Sequence, residues 1–75
     1  MFKNMVIVTK LFFFKLSLIK EGFTYNEAHY LTLLHMVGKI SERDAHEIIK
    51  YVEYFPAGSE HRHQNFVFYT STKTV

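Results

Sequence analysis

Five histidines in a 75-residue chain are the first side chains to weigh for chemistry. Imidazole is the commonest metal ligand and the one side chain that ordinarily changes charge between pH 5 and 8. His61, Arg62 and His63 stand together after Glu60. On an extended segment the two imidazoles would share a side, and His29, His35 or His46 could complete a metal shell. No HExxH, CxxC or other recognised ligand spacing accompanies them, so the expectation is no metal and no cofactor. His35 differs from the rest. It falls where a helical pattern wants an apolar residue, which suits a half-buried histidine with one ring nitrogen hydrogen-bonded.

Other catalytic chemistry finds little support. Of the seven carboxylates, Glu27 and Asp44 occupy predicted helix starts, and Glu47 falls among surface charge pairs. Gly22, Gly38 and Gly58 each have a capping or turn role, which leaves no glycine-rich loop to cradle a phosphate. There is no nucleophile-elbow pattern. Without cysteine there is no disulfide and no thiolate zinc site, a composition that fits a cytoplasmic protein. The expectation is a non-enzyme.

That leaves binding. Lys3, Lys10, Lys15 and Lys20 precede the first acid, whereas all seven acids lie between Glu21 and Glu60. A basic start and an acidic middle argue against one continuous face for a polyanion. The chain is 48% hydrophobic and 17% aromatic, a large apolar load for one small domain. Part of it is expected to find no room in a monomer core and would suit a homodimer or a partner's surface. The apolar stretch from Met5 to Ile19 is interrupted by Lys10 and Lys15 and is too short to span a bilayer, so a membrane partner is not expected.

The elements that must carry these residues announce themselves at two boundaries. Gly22 and Phe23 read as a helix end, and Thr24 with Glu27 as a capping box that opens the next helix. Gly38, Lys39 and Ile40 repeat the ending, and Ser41 with Asp44 repeats the opening. Thr24–Leu31 aligns with Ser41–Ile48 in cap, acid, Ala, His and aliphatic, which two helices obeying the same start rules would produce without duplication. After Ser41 the residues Ala45, Ile48, Ile49, Val52 and Phe55 form one apolar stripe, ended by Pro56 and Gly58. The helix from Tyr25 to Val37 has a wider apolar face.

The ends of the chain are less plain. Met5–Val8 suits a strand. Lys10–Glu21 reads as an amphipathic helix, with a strand through Phe12, Phe14, Leu16 and Leu18 as the competing reading. Asn65–Ser71 reads as a strand able to pair with Met5–Val8, and Thr72–Val75 is expected to fray. The predicted fold is α+β, three short helices with a small two-stranded antiparallel sheet of N- and C-terminal segments, in the order β-α-α-α-β. Its core would hold Val6, Val8, Leu16, Ile19, Phe23, Ala28, Leu31, Leu34, Ile40, Ala45, Ile48, Ile49, Val52, Phe66 and Phe68.

The expected function is that of a small phage-type or accessory regulator that binds and occludes another protein. Its candidate interface is Phe13, Tyr30, Tyr51 and Tyr54 with Arg43 and Lys50 at the rim, because Tyr joins an apolar ring to a polar tip. The alternative rests on two helices joined by the short turn at Gly38, which resemble a helix-turn-helix. Its nucleic-acid contacts would be Lys10, Lys20, His61, Arg62 and His63. Against it, the would-be recognition helix opens Glu42-Arg43-Asp44, and acids facing phosphates weaken binding.

Overall fold

A computed structural model describes the backbone of residues 2–75 and the side chains from Val8 onward. The chain forms α1 (Phe2–Glu21), α2 (Tyr25–Met36), α3 (Glu42–Glu47), α4 (Ile49–Val52) and α5 (Glu60–Lys73). Only Ile48 separates α3 from α4, and its backbone stays in the right-handed helical region, so the two run on as one interrupted helix.

The expected α+β fold is overturned. No strand occurs among the described residues, and both segments read as strands are helical. Met5–Val8 lies within α1, continuous with Lys10–Glu21, and this settles the helix-or-strand ambiguity there in favour of helix. The propensity penalty for a few β-branched residues is only tenths of a kcal/mol each, too little to stop a helix already running through Lys10–Glu21. At the other end, Ser59 caps α5 by accepting the Arg62 backbone N–H at 3.2 Å. The buried residues of that helix are Arg62, Phe66 and Thr70, four apart, while Gln64 and Phe68 midway between them are exposed; a strand would turn all five to one side. A period of two had put Phe68 inside with Phe66; Phe68 is exposed, as is Val8, its supposed partner across the sheet. The tail does not fray. Lys73 Nζ reaches Glu47 Oε2 at 3.3 Å, and the Val75 N–H donates to the Lys39 carbonyl at 2.8 Å.

The two glycine-ended boundaries form as expected. At Gly22 (φ +123°) the Phe23 N–H reaches back to the Leu18 carbonyl and the Gly22 N–H to that of Ile19. At Gly38 (φ +76°) Lys39 and Gly38 do the same to Leu34 and His35. These paired bonds satisfy carbonyls that a helix end leaves open and need a left-handed residue. Thr24 and Glu27 make the full capping box, and Ser41 accepts from the Asp44 N–H.

The core is Phe14, Leu18, Phe23, Ala28, Leu31, Ile40, Ala45, Ile48, Val52 and Phe66, edged by Ile19, Leu34 and Ile49. Leu16, expected inside, is half-buried; Phe14 and Leu18, one turn apart on the adjacent face of α1, take the interior instead. Val6 lies outside the described side chains. Leu18→Ala should therefore destabilise by about 2–5 kcal/mol, while Phe68→Ala should cost less than about 0.5 kcal/mol. Urea unfolding followed by far-UV circular dichroism measures both, and a large loss at Phe68 would restore the strand.

Candidate functional site

The side chain that sets the geometry is Arg62. It stands in the first turn of α5 with only 5% of its surface exposed. A guanidinium has five N–H donors and no acceptor, and all five are used. Nε and Nη2 grip Glu27 in a two-pronged pair at 2.9 and 2.8 Å. Nη2 also donates to the Gly22 carbonyl at 2.9 Å, and Nη1 donates to the carbonyls of Phe55 and Val52 at 2.9 and 3.3 Å. Gly22 follows the end of α1, and Val52 and Phe55 lie at and beyond the end of α4. One side chain of α5 thus closes the ends of two helices and holds the start of a third.

Glu27 is equally committed. Its Oε1 also accepts the Thr24 N–H at 2.8 Å, while the Thr24 hydroxyl accepts the Glu27 N–H at 3.2 Å. Burial alone would raise this carboxyl's pKa, but the Arg62 guanidinium and the Thr24 N–H outweigh it and hold it below the ordinary value. The carboxylate in turn holds the Arg62 pKa above the ordinary guanidinium value against the cost of burial.

The consequence is felt on the far side of α2. Glu27 is the only Asp, Glu, Lys or Arg in that helix, and it is turned inward. What faces solvent is Tyr25, Asn26, His29, Tyr30, Leu33 and Met36, continued by Val37. Leu33 is 43%, Met36 53% and Val37 61% exposed, so the face is open rather than grazed by solvent. A groove flanks it on each side. Toward α1 a groove of about 250 Å³ runs between Val8, Leu11 and Phe12 on one wall and Leu33 and Met36 on the other. Toward α5 a groove of about 270 Å³ is lined by Tyr30, Phe66, Val67 and His63, with the Tyr30 ring edge-on to Phe66 at 5.9 Å. Lys15 closes one end of the α1 groove. Its Nζ donates to His29 Nδ1 at 3.0 Å and lies 5.2 Å from the centre of the Tyr25 ring, which stacks on His29.

The residues singled out from sequence do not gather here, apart from Tyr30. Phe13 sits edge-on to Phe12 at 5.9 Å and lines a separate hollow with Lys10, His35 and Glu42. Tyr51 stacks on Tyr69 at 3.9 Å, and Tyr54 is exposed nearby in sequence. Arg43 and Lys50 share a shallow groove with Glu21, His46 and Glu47, where His46 Nδ1 meets Glu21 Oε1 at 2.7 Å. The nucleic-acid set is equally dispersed. Lys10 and Lys20 are exposed on α1, His61 lies against the Phe55 ring, His63 lines the α5 groove and Arg62 is interior.

His61 and His63 also lose their side-by-side placing, because two residues on a helix point roughly 200° apart. Among the described residues no three of His, Asp and Glu gather as a metal site. His35 is half-buried, its Nδ1–H donating to the Ile40 carbonyl at 2.9 Å and its ring 4.7 Å from that of Phe14. The residues that sequence reasoning passed over are Leu33, Met36 and Val37. Their signal is the scarcity of charge in α2, where the apolar positions outnumber what one buried stripe can hold.

Compared with protein-family models, with curated proteins and with solved structures, the chain matches none.

Arg62→Met should leave Glu27 as an uncompensated buried charge and cost about 3–5 kcal/mol. Arg62→Lys should recover little, since an ammonium cannot reproduce the fork. The pH dependence follows from the lowered Glu27 pKa. A carboxyl with a depressed folded-state pKa contributes stability above its unfolded value and loses it as pH falls through the folded one. Stability should therefore decline as pH drops below the ordinary glutamate range, and Glu27→Gln should flatten that limb. Urea midpoints measured across acid pH for wild type and Glu27→Gln check this; parallel curves would show that Glu27 does not carry the acid sensitivity.

Proposed function

We propose that this protein is a small, non-catalytic regulatory module that binds another protein and occludes part of its surface, with the open face of α2 at the centre of the contact. The observation that carries the reading is the absence of charge from that face. Surface helices of globular domains ordinarily turn charged residues outward, and an apolar patch of this kind on a small domain marks a contact surface. Leu33, Met36 and Val37, with Phe12 and Val8 beside them, are side chains whose removal from water favours association. A cytoplasmic site of action is part of this reading and rests on the cysteine-free composition.

Nucleic acid is less well supported. One of its five expected contacts, Arg62, spends every donor inside the fold. The first turn of α3 carries Glu42 and Asp44, and the α2 face offers no cation to a phosphate.

The test is capture from host lysate at moderate salt with tagged wild type and tagged Leu33→Glu, each with and without nuclease. Leu33→Glu should keep the helical circular dichroism of wild type, because the side chain is already half in solvent. A stoichiometric protein held by wild type, resistant to nuclease and salt and lost from Leu33→Glu, is the expected outcome. Recovery that vanishes with nuclease or falls steeply with salt would transfer the function to nucleic-acid binding.

A further inference from the structure

We infer that the groove between α1 and α2 receives an amphipathic helix of a partner protein whose flanks are acidic. The inference rests on the binding-module reading above and specifies its partner. Three features of the groove support it.

The first is shape. α1 and α2 run antiparallel along the groove, Val8 lying at the Met36 end and Lys15 at the His29 end. Seven residues of helix cover about 10 Å, so the floor is two helical turns long. A docked helix presents apolar side chains at i, i+3 or i+4, and i+7 over just that length. Phe12, Leu33 and Met36 supply the apolar walls, and Leu11 and Thr32 line the groove between the helices.

The second is charge. α1 carries Lys10, Lys15 and Lys20 before its first acid, Glu21, which is its last residue. The only acid of α2 is bound to Arg62. The charged or titratable side chains lining the groove are Lys15 and His29, and none is acidic. The turn after α2 adds the exposed Lys39. Opposite charge across a rim steers encounter and fixes register, while like charge rejects partners.

The third is what that charge excludes. A two-fold pairing of this chain on itself would bring the same patch of both copies together. It would bring the Lys15 of each copy into one contact, with no acid in the groove to answer them. The chain's exposed acids, Glu21, Glu42, Glu53 and Glu60, are not among the residues that line this groove. A lipid surface is a weaker match as well, because a concave groove is shaped for protruding side chains.

The experiment selects binders from a displayed library of random peptides about 15 residues long, enough for four helical turns, on wild type, with counter-selection on Leu33→Glu. The expected product is a set of peptides with apolar residues at helical spacing and net negative charge. Their affinity, read by fluorescence anisotropy, should fall about tenfold in Lys15→Glu, the scale of a lost charge pair at a contact. Two controls run alongside: sedimentation of wild type and Leu33→Glu, and flotation with vesicles of anionic phospholipid.

Selected peptides that are neutral or basic, or indifferent to Lys15→Glu, would overturn the acidic partner and leave the binding face standing. Self-association abolished by Leu33→Glu, with no peptide enriched, would replace the partner by a second copy. Vesicle binding abolished by Leu33→Glu, again without peptides, would replace it by a membrane surface. A face that takes none of the three would overturn both this inference and the proposed function.

Discussion

The fold depends on one guanidinium. Arg62 is the meeting point of α1, α2, α4 and α5, and it joins them through the groups that helix ends leave unsatisfied. An apolar residue of the same volume could fill the space, and buried ion pairs exchanged for apolar groups are often no loss in stability. It could not accompany the Gly22, Val52 and Phe55 carbonyls out of water. The desolvation of those carbonyls, of Glu27 and of the guanidinium itself is offset only because each has a partner at hydrogen-bonding distance. In a domain this short the hydrophobic core contributes little surplus, so a fully satisfied polar hub can decide whether the helices meet in one arrangement or several.

Much of the local structure was legible in the residues. Gly22-Phe23-Thr24 and Gly38-Lys39-Ile40-Ser41 were readable because cap chemistry is local: a left-handed glycine and a hydroxyl acceptor act within a few residues. The stripe Ala45, Ile48, Val52 was readable for the same reason. What failed was the reading of Asn65–Ser71. Phe66, Val67, Phe68 and Tyr69 have β-favouring types, and a short apolar run does not distinguish period two from period 3.6. The cue that would have decided it was Ser59, a cap placed just ahead of Glu60; the helix it opens buries Arg62, Phe66 and Thr70 in a four-residue rhythm. That rhythm was hidden because its first member is an arginine, which composition assigns to the surface.

The same substitution of roles hid where several side chains lie. Arg62 was grouped with the histidines beside it as a basic surface cluster, and nothing within ten residues reveals that its partner is Glu27, thirty-five positions earlier. Tyr51 was expected outside because tyrosine favours interfaces, but Tyr69 takes its ring into a stack. The α2 face went unnoticed for the converse reason. Leu33 and Met36 look like core residues, and their exposure follows only from how the helix is rotated, a property that no local pattern specifies.

That rotation links the hub to the binding face. α2 is inverted relative to an ordinary amphipathic helix: its one charge points in, and much of its apolar surface points out. Turned about its axis by half a revolution, it would bury Leu33 and Met36 and return Glu27 to water, but it would expose Ala28 and Leu31. Two things oppose the turn. Ala28 and Leu31, both fully buried, share the inward side with Glu27, and the two-pronged bond to Arg62 fixes that side's angle to within the tolerance of a hydrogen bond. The buried apolar side and the polar contact together keep Leu33 and Met36 exposed. Under the proposed function, Arg62 and Glu27 act on binding from a distance, by fixing the rotation of the helix. The two-pronged bond of Arg62 to Glu27, on the opposite side of the same helix, offsets the cost of leaving that apolar face exposed.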